Sequence, residues 1–434
     1  MLRRDVLVGA AAAAAWSGRA EAAATDLVRA AFLYGFAPFE MARLRRAAAF
    51  GAQNALAYRA TLADHNARGI TAPNNDTVYA SAYLDLAPGP FEIAVPDMGR
   101  RYYSVAFMDL FTDNFAILGT RATGGRPGAY WLVGPNWRGR APATAKLIRA
   151  PTNIVWMLVR TLVDGPSDLA AADLAQHGVT LRRVSDHEPP SPAIAPPMDA
   201  GDPANFLAVV NAALVGAHGA NARRARRFAR VGLRAGDADA FAKLDPALQA
   251  AWRDTAPKTL NSLKGGLAAV GRDANGWRIP SARLGDFGAD DALRAAVALG
   301  GIGALPPEEA MYLSARADST GAPLDGANAY VWRVPAGGVP ANAFWSLTMY
   351  APESDGRVFL VDNPLHRYSI GDRTPGFVVG GDGAFDIQLG AAAPANPSNW
   401  LPAPAGPFRV TLRAYLPKPA LRSGAWTPAA IVRA

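Results

Sequence analysis

The side chains best suited to chemistry in the first half of the chain lie within residues 74–103. This stretch opens with Asn74-Asn75-Asp76-Thr77-Val78-Tyr79, continues as an alternating apolar pattern, and ends with Arg100-Arg101-Tyr102-Tyr103. Its carboxylate can exchange protons, its guanidiniums can bind an anion through parallel hydrogen bonds, and its phenols can donate hydrogen bonds. We therefore predict that the stretch forms the edge of a pocket, which the C-terminal part of the chain completes.

Two carboxylates of this region, Asp76 and Asp109, could divide the roles of general acid and general base. Together with Asn75 they offer only oxygen ligands, so the same residues could instead hold Ca²⁺ or Mg²⁺. A structural alternative is also open, because Asn and Asp side chains readily cap backbone groups in turns. The spacing of these residues does not distinguish the acid–base, metal-binding and structural roles.

A second polar block follows Trp345 and contains His366-Arg367-Tyr368. Arg367 precedes a tyrosine, as Arg101 does, and each pair could bind an anionic or carbonyl group or form a structural ion pair. His366 could act as an acid or base or lie on the surface, and Trp345 could stack on a sugar or anchor a core. The predicted catalytic residues are Asp76, Asp109 and His366, and the predicted substrate-binding residues are Asn75, Tyr79, Arg101, Tyr102, Trp345, Arg367 and Tyr368.

Several classes of protein are excluded by missing signatures. The chain has no cysteine, which rules out thiol catalysis, iron–sulfur clusters and thiolate zinc sites. No Gly-x-Ser-x-Gly elbow, phosphate loop or Gly-x-Gly-x-x-Gly motif is present. The five histidines have no ligand spacing, so no multi-histidine metal site is expected. The net charge is +8, but the one dense basic cluster, residues 223–230, has a helical pattern and no nucleic-acid motif, so we expect no nucleic-acid partner.

The periodicity of the apolar residues indicates which elements must position these groups. Residues 25–46 and 203–300 have helical spacing, whereas alternation with Pro/Gly turns predominates in residues 77–159 and after Met311. The last strand is the clearest: Val410, Leu412 and Ala414 share one face, and the other face carries Arg409, Thr411, Arg413 and Tyr415. That polar face suits either a cleft wall or a solvated sheet.

These polar blocks resemble two domains of unknown function. The segments similar to the domain numbered 1254 are Asn75-Asp76-Thr77-Val78-Tyr79, Pro96 with Arg101-Tyr102-Tyr103, Asp109, and Gly119 with Arg121. The segments similar to the domain numbered 1214 are Ala343–Tyr350, Asn363-Pro364 with Arg367-Tyr368-Ser369, Asn399-Trp400-Leu401-Pro402, and Arg413 with Tyr415. The resemblance implies two jelly-roll-like β domains with a helical section between them, in bacterial and often exported proteins. It implies no activity, since neither domain was defined with one.

The fold predicted is mainly β with a helical insert, in four parts. Residues 1–22 form an export signal, 25–165 an N-terminal jelly-roll-like antiparallel domain with a leading helix, 166–305 a connector and helical section, and 306–434 a C-terminal jelly-roll-like antiparallel domain. The signal is predicted from Arg3-Arg4, an apolar run and the small residues around Ala22, which suit the twin-arginine or the general route. No integral membrane segment is expected once the signal is removed.

The function predicted is that of a periplasmic or secreted, hydrolase-like enzyme with a cleft between two β domains. Its substrate would be a small molecule, a glycan or an ester. The alternative is a non-catalytic ligand-binding or assembly protein built from the same domains, and a homo-oligomer is compatible with both. Convergence of Asp76, Arg101, Asp109, Arg367 and Tyr368 in one enclosed pocket would favour the enzyme.

Overall fold

The computed structural model of the chain describes residues 2–47, 51–184, 198–266, 271–354 and 356–434. The helices in chain order are α1 (Leu2–Ala47), α2 (Leu169–His177), α3 (Pro203–Leu214), α4 (Gly219–Ala225), α5 (Pro246–Gly266), α6 (Asp291–Gly300) and α7 (Pro419–Ser423), with short 3₁₀ helices at Pro166–Asp168 and Arg226–Val231. The strands of the N-terminal part are β1 (Ala52–Gln53), β2 (Ala57–Arg59), β3 (Thr77–Asp85), β4 (Phe91–Val95), β5 (Tyr103–Asp109), β6 (Asn114–Gly119), β7 (Gly128–Val133), β8 (Lys146–Arg149), β9 (Ile154–Leu162) and β10 (Thr180–Arg183). Those of the C-terminal part are β11 (Arg272–Ala274), β12 (Trp277–Ile279), β13 (Ala310–Ala315), β14 (Tyr330–Val334), β15 (Ala341–Pro352), β16 (Val358–Leu360), β17 (Ser369–Gly371), β18 (Phe385–Gly390), β19 (Trp400–Pro402), β20 (Arg409–Pro417) and β21 (Ile431–Arg433).

The N-terminal strands form a two-layer sandwich. One sheet has the order β1-β3-β9-β5-β6, with β2 also paired to β3, and the other has the order β10-β4-β7-β8. Alternate residues of each strand enter the core between the sheets; on β9 these are Val155, Met157 and Val159. The opposite face of β9 therefore points away from the sandwich core.

The C-terminal strands form a second sandwich built in the same way. Its larger sheet has the order β11-β12-β13-β20-β15-β16, with β17 on β15, and its smaller sheet has the order β19-β18-β14-β21. Trp332, Leu347 and Leu412 are fully buried between the two layers. Most strand pairs in both sandwiches are antiparallel, which confirms the predicted fold class of a mainly β chain with helices in its middle.

The helices cover part of the outer face of the first sandwich. Helix α1 packs against α3, α5 and α6, with Phe32 stacked on Phe206 at 4.5 Å between ring centroids. The predicted export segment and the predicted leading helix belong to this one helix, which continues through Pro38. Among the described residues, no helix is long and apolar enough to cross a membrane.

Three short strands of the sandwiches lie within residues 166–305, the predicted connector and helical section. Strand β10 follows residue 165 yet pairs with β4, so it belongs to the first sandwich. Strands β11 and β12 fall in the predicted helical section but extend the larger sheet of the second sandwich through β13. Their connection is Asn275-Gly276, both with positive φ, a two-residue hairpin turn that joins strands directly. Residues 185–197 of the predicted connector, with His187, lie outside the described residues.

Candidate functional site

The two sandwiches face each other across a cavity of about 610 Å³. Its N-terminal wall is the outer face of β3 and β9, and its C-terminal wall is the outer face of β13 and β20. On β9, the residues that alternate with the sandwich core are Trp156, Leu158 and Arg160, and all three line the cavity. The cavity thus forms where the outer faces of two sheets meet.

The C-terminal wall carries the polar face predicted from the last strand. Arg409, Thr411, Arg413 and Tyr415 line the cavity, while Leu412 on the opposite face lies in the sandwich core. Of the two roles that suited this face, the structure shows the cleft wall. Strand β13 adds Tyr312, which lies directly opposite Arg413 in the antiparallel pair.

Residues 59–74 close one side of the cavity by reaching from the first sandwich onto the second. The carbonyl of Ala72 accepts a hydrogen bond from Arg413 Nη2 at 3.0 Å, and that of Pro73 accepts one from the Tyr350 hydroxyl at 2.6 Å. Asn74 Nδ2 donates to the Tyr415 hydroxyl at 2.8 Å. The N-terminal segment and the second sandwich therefore build this wall together.

Arg160 is the most unusual group in the cavity. Its side chain belongs to a strand of otherwise apolar and hydroxyl residues, and the residue is only 5% exposed. Nη2 donates to the Gly303 carbonyl at 2.5 Å, and the guanidinium lies 5.7 Å from the centroid of the Tyr79 ring. Nη1 is buried without a hydrogen-bond partner. Within the described residues, Arg160 is paired with no carboxylate.

Arg413, on the opposite wall, has a similar environment and is 3% exposed. Its Nη1 donates to Thr348 Oγ1 at 2.7 Å, and its Nη2 donates to the Tyr350 hydroxyl at 2.6 Å as well as to Ala72. The charge of Asp76 also acts on Arg413, but the Asp76 carboxylate accepts its hydrogen bonds from Ser346 and Arg373. Arg413 is therefore a second buried cation bonded only to neutral oxygens in the part of the chain that the structure describes.

The charge around the cavity is strongly unbalanced. Its arginines are Arg59, Arg68, Arg160, Arg278, Arg316, Arg409 and Arg413. Among the lining residues described, the acids are Asp64 and Asp273. Asp64 accepts hydrogen bonds from Asn66, and Asp273 lies 3.2 Å from Arg278. Neither acid neutralises the two buried guanidiniums, so the interior of the cavity is positive.

The phenols of the cavity are hydrogen-bond donors at neutral pH. Burial raises the pKa of Tyr415 well above its usual value, and burial also raises the pKa of Tyr312. The Tyr415 oxygen already accepts from Asn74, which leaves its proton to be donated. Neutral phenols beside guanidiniums make a surface that offers protons and few acceptors.

Of the ten residues predicted as the site, Tyr79 is the one that lines this cavity. Asp76 instead accepts hydrogen bonds from Ser346 Oγ at 2.6 Å and Arg373 Nη2 at 3.0 Å, and so ties the two sandwiches together. Asn75 Nδ2 donates to the Ala63 carbonyl at 2.5 Å. Both side chains therefore make structural contacts within the protein, which was the alternative to a role in binding a ligand.

Tyr102 and Arg101 also form hydrogen bonds with other residues of the chain. The Tyr102 hydroxyl donates to Glu309 Oε1 at 2.9 Å, a second contact between the sandwiches. Arg101 binds both carboxylate oxygens of Asp168, which keeps the pKa of that carboxyl below its usual value. Arg101 therefore forms the structural ion pair rather than an exposed anion site.

Asp109 lies far from Asp76. It pairs with Val155 at one end of β9, whereas the Asp76 carbonyl accepts from Val163 beyond the other end, about 26 Å away for eight residues of strand. Asp109 Oδ1 accepts from the backbone of Phe111 and Asp113 in a turn. The two acids cannot share one acid–base site, nor can Asn75, Asp76 and Asp109 hold one metal ion. Among the described residues, no group of three His, Asp or Glu side chains could hold a metal.

The predicted site residues of the C-terminal part also lie outside the cavity lining. His366 is exposed, with a side chain 76% accessible, and Arg367 donates to the carbonyls of Pro397, Ser398 and Trp400. The Tyr368 hydroxyl lies 2.9 Å from His65 Nδ1, and Trp345 stacks on Phe385 in the core of the second sandwich. The predicted convergence of Asp76, Arg101, Asp109, Arg367 and Tyr368 in one pocket is not found.

Sequence reasoning missed Arg160 and Tyr312. A charged residue within Ile154–Leu162, a strand otherwise free of charge, is the signal that could have identified Arg160, because such a residue is seldom buried without a reason. Tyr312 has no comparable signal, since its position is set by pairing with β20 about a hundred residues later. Arg413 stood on the predicted polar face but was not chosen as a site residue.

Comparison with solved structures shows the same fold in another protein. A crystal structure of the VPA0106 protein from Vibrio parahaemolyticus matches with a TM-score of 0.71 at 24% identity, over 95% of this chain and 100% of that one. An uncharacterised protein from Burkholderia cenocepacia matches at a TM-score of 0.47 and 13% identity, over 96% and 97% of the two chains. None of the curated proteins compared matches the chain. Residues 53–183 match the family described as protein of unknown function (DUF1254) and residues 309–419 match that described as protein of unknown function (DUF1214), so the chain belongs to the proteins that carry these two domains in this order.

Proposed function

We propose that this protein binds a small organic anion in the cavity between its two sandwiches. The observation that carries the proposal is the pair of buried guanidiniums, Arg160 and Arg413, which face the cavity from opposite walls with neutral oxygens as their partners. An arginine keeps its proton even when buried. The cavity therefore holds two positive charges, and a ligand carboxylate or similar anionic group would neutralise part of this charge.

The energetics support a ligand rather than a purely structural role for these arginines. Removing a charged group from water costs several kcal/mol unless a counter-charge compensates, so buried charges in proteins are usually paired. Arg101 in the same sandwich obeys that rule through Asp168. A neutral glycan would offer hydroxyl groups but no charge, so an anion fits this cavity better than an uncharged sugar.

Binding takes precedence over hydrolysis because the predicted acid and base residues lie elsewhere. Asp76, Asp109 and His366 are absent from the cavity lining, and the lining acids Asp64 and Asp273 already have partners. The chemistry that the lining supports is recognition by charge and by donated hydrogen bonds.

The test is to measure binding of simple anions to the purified protein by isothermal titration calorimetry and by the shift in melting temperature. A panel of organic carboxylates, phosphate and uncharged amides would be titrated against the wild type, Arg160→Met and a control, Arg333→Met. Arg333 is exposed on β14 and pairs with Asp386, away from the cavity. We expect one or more anions to bind the wild type and the control equally, and at least ten times more weakly to Arg160→Met. Equal binding to all three proteins, or no binding of any anion, would overturn the proposal.

We also propose that residues 1–22 direct export to the periplasm. Arg3-Arg4 and the following apolar run have the composition of an export signal. Among the described side chains of α1, burial begins at Val28, so cleavage after Ala22 would leave the packed part of the helix intact. Fractionation of a Gram-negative host with N-terminal sequencing should find a periplasmic form that begins near Ala23. Replacing Arg3-Arg4 with lysines should abolish processing if the twin-arginine route is used; a full-length cytoplasmic product from the wild type contradicts export.

A further inference from the structure

We infer that the ligand is a monocarboxylate with an extended apolar body, such as a medium-chain fatty acid or an arylalkanoic acid. The inference rests on the proposed function, because it assigns a chemical class to the anion that the cavity binds. Three features of the lining support it: two buried polar groups can donate to a ligand, the wall beside Arg160 is apolar, and the end of α6 offsets part of the positive charge.

Two buried polar groups of the lining can donate to a ligand. Arg160 Nη1 is buried without a partner, and the Tyr415 hydroxyl accepts from Asn74 and keeps its own proton to donate. A carboxylate is an acceptor-only group with two oxygens, so it can satisfy both donors at once. An alcohol or amide would bring a donor of its own to a site with few acceptors.

The wall next to Arg160 is apolar. Along the same face of β9, the Cα atoms of Leu158 and Trp156 lie about 7 Å and 13 Å from that of Arg160, given the rise of a strand. Ile302 and Val297 line the cavity as well, and Gly303 lies against Trp156, where an added Cβ would be 3.2 Å from the ring. A chain of about eight carbons or a phenyl ring with a short linker would cover this wall when its carboxylate meets Arg160.

The charge of the ligand is limited by a helix end. Helix α6 ends at Gly300, and Val297, Gly300 and Gly301 line the cavity. The C-terminal end of a helix carries a partial negative charge of about one half, which offsets part of the charge of the two guanidiniums and so favours a ligand of low charge. Phosphate-binding sites typically use the opposite end of a helix. The cavity therefore suits a single carboxylate better than a phosphate dianion.

The experiment compares octanoate, 4-phenylbutyrate, acetate, inorganic phosphate and octanol by calorimetry on the full-length protein. We expect octanoate or phenylbutyrate to bind at least 100 times more tightly than acetate, because each buried methylene contributes roughly fourfold in affinity. Either acid should also bind at least ten times more tightly than octanol. Arg160→Met should abolish the preference for octanoate over octanol, and Arg333→Met should leave it unchanged.

A second variant tests the apolar wall separately. Ile302→Ser, in the loop after α6, should weaken octanoate binding several-fold and leave the affinity for acetate unchanged. If acetate or phosphate binds through Arg160 as tightly as octanoate, the apolar-body inference is overturned while the anion proposal stands. If octanol binds as tightly as octanoate, or if none of the five compounds binds, both proposals fall.

Discussion

The boundary between the two sandwiches contains two kinds of buried charge. In the contacts that join the sandwiches, each acid has several donors: Asp76 accepts from Ser346 and Arg373, and Glu309 accepts from Tyr102 and Arg121. In the cavity a few residues away, the guanidiniums of Arg160 and Arg413 have only carbonyls and hydroxyls. The arginines of the two regions therefore differ: Arg121 and Arg373 have carboxylate partners, whereas Arg160 and Arg413 have none among the described residues.

The paired contacts lie beside a close-packed aromatic cluster. Phe344 stacks on Tyr415 at 4.1 Å, Tyr102 meets both rings edge-on, and the Arg373 guanidinium lies 4.3 Å from the centroid of the Phe344 ring. Tyr415 belongs to this cluster and also lines the cavity. The contacts that fix the relative position of the sandwiches thus also fix one wall of the cavity. Substitutions that remove a paired or an unpaired buried charge should therefore differ in their effect on the free energy of unfolding.

The largest effect is expected from Asp76→Ala. The substitution removes the carboxylate 3.0 Å from Arg373 Nη2 and leaves that mostly buried guanidinium with only the more distant carboxylate of Asp372, 3.4 Å from its Nε, among the described residues. Breaking a buried ion pair from one side costs about 3–5 kcal/mol. Urea unfolding should show this loss in the free energy of unfolding. Asp386→Ala, which removes the exposed ion pair with Arg333, should change the free energy of unfolding little. Equal losses in the two variants would show that the buried pair of Asp76 is no more stabilising than an exposed one.

Asp109→Asn should give a pH-dependent effect. Burial, together with the nearby charge of Asp113, raises the pKa of Asp109 to about 7 from an unfolded value near 4. As the pH rises from about 4 to 7, the unfolded chain releases this proton before the folded chain does, so the wild type loses stability over that range. The asparagine does not titrate, and its Oδ1 can accept the same two backbone hydrogen bonds.

The stability of Asp109→Asn relative to the wild type should therefore increase by about 2–4 kcal/mol between pH 4 and pH 8. Urea unfolding of both proteins at several pH values measures this difference, and other titrating groups cancel because both proteins share them. A difference that does not change with pH would show that Asp109 has an ordinary pKa.

Glu309→Gln should have a smaller effect than Asp76→Ala. The residue is fully buried, but glutamine keeps its shape, and the Tyr102 hydroxyl can rotate to accept. The main loss is the charge-assisted bond from Arg121, whose side chain is about one-third exposed, so we expect about 1–2 kcal/mol. In a protein that already carries Arg121→Met, Glu309→Gln should cause a smaller loss in the free energy of unfolding. An undiminished loss there would assign the effect to Tyr102 instead.

The alternation of apolar residues was enough to predict the polar face of β20, though not its role as a cavity wall rather than a solvated surface, because that face depends only on the two-residue period of a strand. The residues within 74–103 attracted attention for their chemistry, yet most proved to be inter-sandwich or turn contacts. The reason is that Ser346 and Arg373, the partners of Asp76, lie 270 and 297 residues away in sequence, and only the folded chain shows whether a carboxylate finds such partners. Arg160, in contrast, lines the cavity but was not selected from the sequence, because its one local signal was a single charge in an otherwise uncharged strand.

The smallest effect, and the one of opposite sign, is expected from Arg160→Met in the unliganded protein. Methionine fills a similar apolar volume and removes a buried charge that has no carboxylate partner, at the loss of the hydrogen bond to Gly303. Replacing an uncompensated buried charge by an apolar side chain is neutral or stabilising, so we expect a gain of about 0–2 kcal/mol in the free energy of unfolding. Asp76→Ala and Arg160→Met both remove a buried charge from the same boundary, and opposite signs would show that the former serves stability and the latter binding. A loss above about 2 kcal/mol on Arg160→Met would instead mean that Arg160 is a structural residue, and the anion site would then lose its main support.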